Sequence, residues 1–104
     1  MPYLIELTAE AEEDLKSFRK SDRVKILDAI AEHLTHEPAK HSKSRIKQLR
    51  LGTKPPYRLR IDDYRAYYDI FDDVQVVVIY GIVAKIHSSE WLLKFGSENL
   101  PEGD

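Results

Sequence analysis

The stretch that decides the fold runs from Pro56 to Asp72 and reads PYRLRIDDYRAYYDIFD. From Tyr57 to Ile61 apolar and basic side chains alternate, which is the two-residue period of a half-buried β-strand. The alternation resumes from Tyr64 to Phe71, after Asp62-Asp63. Because two residues suffice to turn an antiparallel pair, the sequence predicts a β-hairpin with these two aspartates as its loop.

The predicted hairpin register brings two arginines together. It pairs Arg60 with Arg65 and Arg58 with Tyr67, all on one face of the sheet. Like charges at paired cross-strand positions destabilise a sheet, so we interpret this face as a phosphate site, with Arg60 and Arg65 as clamps and Arg58 as a further contact. The alternative is that Asp69 or the C-terminal acids neutralise the arginines. Tyr67 either packs in the protein or stacks on a nucleobase.

Composition favours one soluble domain. The 104 residues are 42% hydrophobic and 33% charged, which is typical of a globular protein, and we predict a domain over residues 1–96 and a flexible acidic tail over 97–104. No apolar run approaches the roughly 20 residues that span a bilayer, and the acidic start does not resemble a signal peptide. We therefore expect a cytoplasmic protein with no membrane association. The absence of cysteine excludes disulfides, thiolate zinc sites and cysteine nucleophiles.

Charge is distributed unevenly along the chain. The formal net charge is −2, yet residues 40–65 hold nine basic and only two acidic side chains. A basic segment of this kind is the footprint of a nucleic-acid or other polyanion surface. We include Arg50 and Lys54 from this segment as candidate nucleic-acid contacts. The alternative is that these bases neutralise acids folded beside them.

The remaining patterns predict an α+β fold. We expect an N-terminal strand and a two-helix hairpin packed on an antiparallel sheet, with a short C-terminal helix and the helices on one face. The expected elements are a strand over residues 2–7, a helix over 9–19 capped by Thr8, a second helix capped by Ser21 or Asp22 and ending near His36 or Glu37, a brief strand near Ile46–Leu49, a last strand over 74–83, and a helix from Ser88 or Ser89 that stops at Gly96. The register of the last strand stays open between two placements of its turn.

The order and spacing of these segments resemble the RelE/ParE toxin superfamily. The resemblance covers about residues 3–95, and the pieces that carry it are AEEDLKSF, RVKILDAIAEHLTHEP, KQLR, YRLRIDDYRAYYDI and VQVVVIYGIV. Members of this superfamily are the toxins of bacterial type II toxin-antitoxin modules. The resemblance therefore implies a cytoplasmic toxin held in a hetero-oligomer by a cognate antitoxin.

The resemblance also implies two kinds of target. RelE-like members cut mRNA on the ribosome, whereas ParE-like members poison DNA gyrase. We predict a ribosome-dependent mRNA endoribonuclease that inhibits translation and needs neither metal nor cofactor. A ParE-like gyrase-binding toxin without nuclease activity and a degenerate antitoxin-binding member remain as alternatives.

A RelE-like reaction needs groups that move protons and groups that stabilise the phosphorane. RelE-like enzymes carry an arginine just after the last strand and a tyrosine further on, where this chain reads AKIHSSEWL. The resemblance thus implies Arg60, Arg65, Lys85 and His87 as catalytic residues, Lys85 as the replacement cation and His87 as acid or base. Arginine stands where many relatives have lysine, and because arginine cannot serve as a general base, that role is unassigned.

Three histidines in EHLTHEPAKH raise the question of a metal site. His33 and His36 share one face of the predicted second helix, and His41 follows on the connector. A catalytic zinc site needs a third ligand held by an oriented second shell, and nothing in the sequence fixes His41. We predict no metal site here.

Overall fold

One strand and two helices come first in the chain, four strands follow, and a helix comes last. The computed structural model describes residues 1–42 and 45–98. Its elements are β1 (Leu4–Leu7), α1 (Ala9–Lys16), α2 (Lys20–Leu34), β2 (Ile46–Gln48), β3 (Tyr57–Ile61), β4 (Tyr64–Phe71), β5 (Val76–Ala84), a 3-10 turn (Lys85–His87) and α3 (Ser88–Glu98). The predicted α+β class is confirmed. In the described parts of the chain, no helix is long and apolar enough to cross a membrane.

The five strands form one sheet in the order β1-β5-β4-β3-β2. β3 and β4 make the predicted hairpin in the predicted register, with Arg60 opposite Arg65. Asp62 has φ 52°, a left-handed conformation that aspartate tolerates in turns. β1 runs parallel to β5, whereas the other neighbouring strands are antiparallel. The sheet is therefore mixed.

The apolar face of the sheet packs on α1 and α2, as expected from the alternation of the hairpin. The register of β5 that the sequence left open is settled, because Val77 and Ile79 face this core. Tyr68 lies in the core too, and its hydroxyl donates to the carbonyl oxygen of Pro38 at 2.6 Å. The buried members of the core are Ala11, Ile26, Ile30, Leu34, Ile46, Leu59, Ile61, Ala66, Tyr68, Val77, Ile79 and Ile82.

Beyond the end of β1, the edge of β5 finds its hydrogen-bond partners in α1 and its N-cap. β5 is bulged at Tyr80, where its register against β4 shifts by one residue. The hydroxyl of Thr8 donates to the Tyr80 carbonyl oxygen at 3.3 Å, and the backbone N–H of Ile82 donates to Asp14 Oδ2 at 3.0 Å. Burial raises the pKa of the Asp14 carboxyl, while the Ile82 hydrogen bond opposes that rise. Side chains of α1 thus satisfy backbone groups that no strand pairs.

α3 packs on the other face of the sheet, so the expectation that all helices share one face is wrong. The Trp91 ring stacks on Tyr67 with centroids 5.0 Å apart and on Phe95 at the same distance. Phe95 in turn contacts Tyr80 at 5.4 Å. The aromatic contacts thus continue from β4 and β5 into the helix.

α1 begins where predicted but ends earlier, and α2 begins without the predicted cap. Thr8 caps α1 as expected, since its hydroxyl accepts from the third residue of the helix at 3.1 Å. α1 stops short of Arg19, at Lys16, and the hydroxyl of its C-cap Ser17 donates to the Asp14 carbonyl oxygen at 2.6 Å. Asp22 does not cap α2; it lies in the first turn and accepts from the Tyr64 hydroxyl at 2.9 Å.

Other boundaries shift by about two residues. α2 ends at Leu34 and β5 begins at Val76, each two residues inside the predicted limit. Gly96 does not stop α3, because it does not adopt the left-handed conformation that ends a helix, and the helix continues to Glu98. The first two residues of the predicted tail 97–104 are therefore helical, and the rest of that tail lies outside the described residues.

We expect Gly81 to be required for the seating of Trp91. A Cβ at Gly81 would overlap the indole ring, so Gly81→Ala should lower the free energy of unfolding by about 1–3 kcal/mol. The cost should largely disappear in a Trp91→Ala background, because the clash is then removed. Urea unfolding followed by circular dichroism measures both differences.

Gly96→Ala is the matched control for this prediction. Its Cβ would have no neighbour closer than 3.9 Å, and alanine favours a helix, so this variant should be as stable as the parent or more so. An equal cost of Gly81→Ala with and without Trp91 would contradict the account.

Candidate functional site

A basic pocket opens on the sheet face that carries the arginines. Its volume is about 290 Å³, and strands β2, β3 and β4 with the segment before β2 form its walls. The lining residues are His41, Ser42, Arg45, Lys47, Arg58, Arg60 and Arg65. Five of the seven are cationic, and no aspartate or glutamate in the described part of the chain lines the pocket. We call this set the basic pocket.

Arg65 is the most buried cation of the basic pocket. It is 6% exposed, and its Nη1 donates to the carbonyl oxygens of Asp62 and Tyr64 at 3.1 and 3.0 Å. Burial lowers the pKa of the guanidinium, and the positive charges of Arg58 and Arg60 lower it further. No described carboxylate forms an ion pair with Arg65 within 4.0 Å. The group is thus held in place by backbone oxygens, with its charge uncompensated by an ion pair.

Arg58 contributes an unpartnered donor. Its Nε is buried and has no hydrogen-bond partner among the described residues. Leaving a buried donor unpaired costs about 1–3 kcal/mol, and more for charged groups, so such atoms are rare in folded proteins unless something else binds them. An anion in the basic pocket would supply the missing acceptor.

The alternative, neutralisation of the arginines by Asp69, does not occur through an ion pair. Asp69 Oδ1 accepts from the backbone N–H of Ile70 at 2.7 Å, and Asp69 lines a separate pocket with Lys54 and Phe95. The C-terminal acids after Glu98 lie outside the described residues. Within the described chain, no ion pair therefore offsets the repulsion between Arg60 and Arg65 that the hairpin register predicts, and this repulsion destabilises the sheet.

The positive charge of the basic pocket and the donor geometry of its guanidinium groups suit an oxyanion. Guanidinium groups present N–H donors in a planar fork that matches two oxygens of a phosphate, and such charge-assisted hydrogen bonds are stronger than neutral ones. The half-buried Arg58 and the exposed Arg60 approach from β3, and Arg65 approaches from β4. A phosphodiester between them would relieve the mutual repulsion.

Several residues predicted from sequence lie outside the basic pocket. Lys85 and His87 are exposed on the 3-10 turn after β5, and the Lys85 backbone N–H donates to the Asp63 carbonyl oxygen at 2.6 Å. This bond brings the turn next to the hairpin loop, at the end of β4 where Arg65 lies. Arg50 and Lys54 are exposed in the connector before β3, and neither lines the basic pocket.

The structure also decides between the two interpretations of Tyr67. Its side chain is 3% exposed and stacks on Trp91 with an interplanar angle of 13°. A base cannot stack on the ring while α3 occupies this position. The interpretation of Tyr67 as a nucleobase platform is therefore wrong for this conformation. Strand alternation alone could not show that α3 covers this face.

Sequence reasoning missed four residues of the basic pocket: His41, Ser42, Arg45 and Lys47. The signal for two of them was present, since Arg45 and Lys47 flank Ile46 in the two-residue period of a strand. β2 pairs with β3 so that Lys47 lies opposite Arg58, which adds the segment's charges to the arginine face. No periodicity marked His41 or Ser42, which precede the strand.

The three histidines considered as metal ligands have separate surroundings. His33 Nε2 lies 3.0 Å from Glu32 Oε2 on α2, while His41 lines the basic pocket. Within residues 1–42 and 45–98, no group of three histidine, cysteine, aspartate or glutamate side chains is placed to hold a metal ion.

We expect Arg60→Gln to stabilise the free protein. Removing one charge of the Arg60–Arg65 pair should raise the free energy of unfolding by about 0.2–1 kcal/mol in low-salt chloride buffer, and the gain should shrink with added salt. Arg50→Gln, which removes an exposed arginine outside the basic pocket, is the control and should change little. A loss of stability in Arg60→Gln, measured by urea unfolding, would contradict the predicted repulsion.

Comparison with known proteins places this chain in a family. Residues 5–84 match the model of the ParE toxin of the type II toxin-antitoxin system parDE. The toxin-antitoxin complex RelBE2 from Mycobacterium tuberculosis is 27% identical, with a TM-score of 0.66, covering 81% of this chain and 99% of that chain. The archaeal RelE-RelB complex from Pyrococcus horikoshii is 26% identical, with a TM-score of 0.63, covering 82% and 97%.

An arginine-to-alanine mutant of Escherichia coli RelE in the free state shares the fold, with a TM-score of 0.66 at 17% identity over 97% of this chain and 100% of that one. A comparison with curated proteins finds no match. The family model covers well over half of the chain, and the sequence-based assignment to the RelE/ParE superfamily is confirmed. The chain belongs to the ParE toxin family of type II toxin-antitoxin systems, within the RelE/ParE superfamily.

Proposed function

We propose that this toxin is an endoribonuclease that cuts mRNA on the ribosome and so inhibits translation in the cytoplasm. The observation that carries the proposal is the basic pocket, in which an unpartnered Arg58 Nε and the Arg60–Arg65 pair meet without a described acid. A phosphodiester provides the acceptors and the negative charge that this arrangement lacks. RNA backbone is a ligand of that chemistry that is abundant where ribosomes act.

In the proposed reaction the arginines stabilise charge. When a 2′-hydroxyl attacks the neighbouring phosphorus, the phosphorane gains negative charge on its equatorial oxygens, and preorganised donors aimed at those oxygens lower the barrier. Arg60 and Arg65 are assigned to this role, and Arg58 is assigned to binding of the RNA. The guanidinium groups supply fixed positive charge, so the proposed chemistry invokes no metal or cofactor.

Residues outside the basic pocket have secondary roles in the proposal. Lys85 and His87 lie beside the hairpin loop and are assigned to contacts with RNA or ribosome that form in the complex. Arg50 and Lys54 are exposed on the connector and can extend the positive surface along the bound strand. Tyr67 has no contact role while Trp91 covers it.

We also propose that a cognate antitoxin binds this toxin in a hetero-oligomer. The two solved relatives described above at 26–27% identity are a toxin-antitoxin complex and a RelE-RelB complex. An acidic antitoxin segment would neutralise the basic pocket. Strand addition to β5 is not available over Val76–Ile79, because β1 and β4 already flank it there.

A ParE-like action on gyrase is the second candidate. The family model that matches the chain is the ParE toxin model, and this observation favours a toxin that works through protein contacts. Such a toxin needs no proton-transfer group. A degenerate member that retains only antitoxin binding is the third candidate, since such a protein would keep the fold without the reaction.

Expression of the chain alone in a bacterial host tests the proposal. Primer extension on several transcripts and a supercoiling gel of plasmid from the same culture report the two targets. We expect growth arrest with new mRNA 5′ ends. Arg60→Ala should remove both, because loss of one charge-stabilising donor costs on the order of 100-fold or more in rate.

Arg60 is chosen because it is exposed, so its replacement should not disturb folding. Arg65→Ala should also abolish cleavage, and circular dichroism checks that this variant is folded. Arg19→Ala, on the helical side of the sheet, is the matched control and should retain toxicity. Arrest with intact transcripts and altered supercoiling would support the gyrase candidate instead. No arrest from soluble protein would leave a binding module.

A further inference from the structure

His41 is the one histidine of the basic pocket. It lies between the end of α2 and the start of β2, and it lines the pocket together with Arg58, Arg60 and Arg65. Arginine retains its proton at every physiological pH, whereas histidine exchanges a proton near neutrality. Among the described lining residues, His41 is therefore the side chain best suited to accept a proton from a ligand held by the arginines.

Hydrogen bonds of Ser42 hold the backbone next to His41. The Ser42 hydroxyl accepts from the backbone N–H groups of Arg45 and Ile46 at 3.0 and 3.3 Å, and the Ser42 N–H donates to the Ile46 carbonyl oxygen at 3.0 Å. Ile46 is buried in the core at 5% exposure. These bonds tie the residue after His41 to a strand of the sheet, so His41 stands on an anchored segment.

The sheet carries this anchor to the arginines. β2 pairs with β3, and the Arg60 backbone N–H donates to the Arg45 carbonyl oxygen at 2.8 Å. Backbone hydrogen bonds thus connect Ser42, through β2, to the strand that holds Arg58 and Arg60. The sequence alone did not predict this connection, because His41 follows Pro38 on a polar connector, where no pattern indicates which strand lies nearby.

We propose that His41 is the general base of the cleavage reaction, an inference that rests on the proposed function. Its neutral imidazole takes the proton of the 2′-hydroxyl as the 2′-oxygen forms a bond to phosphorus. The bond from phosphorus to the 5′-oxygen breaks, and the leaving 5′-oxygen takes a proton from water. The products are a 2′,3′-cyclic phosphate and a 5′-hydroxyl, and His41 returns its proton to solvent.

The position of His41 distinguishes it from His87, the histidine that the sequence suggested. His87 lies on the exposed turn after β5 and does not line the basic pocket. A general base must come within hydrogen-bond reach of the proton that it removes. A phosphodiester bound between the arginines would place its 2′-hydroxyl within the pocket that His41 lines.

The test compares cleavage with binding in His41→Gln. Purified protein is mixed with ribosomes programmed with a defined mRNA for single-turnover cleavage. Binding is measured by fluorescence anisotropy with a short RNA whose 2′-hydroxyls are replaced by hydrogen. We expect His41→Gln to cut about 100-fold more slowly or worse, with an affinity for the uncleavable RNA within a few-fold of the parent. His36→Gln, the same change at an exposed histidine outside the pocket, is the control and should cut at the parent rate.

Imidazole rescue provides a second readout. Added imidazole should restore part of the cleavage by His41→Ala, because a free base can enter the open site left by the side chain. A purely structural role would show no such rescue, and that result would overturn the assignment. Cleavage by His41→Gln at the parent rate would overturn it as well, and so would an equal loss of binding and cleavage. No cleavage by the parent protein would instead overturn the proposed function, and this inference with it.

Discussion

The pairing of Arg60 with Arg65 across the β3–β4 hairpin is the interaction on which the site depends. The two-residue loop at Asp62 and Asp63 sets the register, and a slip of one residue would move the arginines into the core. Burial of Ile61 and Ala66 on the other face fixes that register. The sheet therefore holds two like charges together because its apolar side leaves no other arrangement.

The opposite ends of the arginine face have different surroundings. Near β2 the face stays open, and the basic pocket lies there with an unpaired Arg58 donor. Towards β5, α3 covers it through the stack of Trp91 on Tyr67. The bulge at Tyr80 and the lack of a side chain at Gly81 make room for this helix. Packing of α3 thus limits the candidate ligand surface to strands β2, β3 and β4.

The sequence predicted what short-range patterns can specify. Strand alternation identified the hairpin, its register and three of the five pocket cations, and the Thr8 cap located α1. The position of α3 could not be predicted, because an amphipathic helix fits either face of a sheet. His41 was missed for a related reason. Its position beside the arginines depends on the long-range pairing of β2 with β3, and a strand of three residues is too short to predict that pairing from its pattern. Polar contacts between distant segments leave no periodic trace in a single sequence.

The Arg58 Nε atom offers the most direct test of the central claim that the basic pocket is built to bind a phosphate. In a ¹⁵N-labelled sample, the Nε–H signal of Arg58 is assigned by its loss in Arg58→Lys and followed during titration with inorganic phosphate at constant ionic strength. The account predicts a saturable shift of this signal, larger than that of the exposed Arg19 on the helical side. An Arg58 signal that stays unchanged, or that moves no more than Arg19, would contradict it.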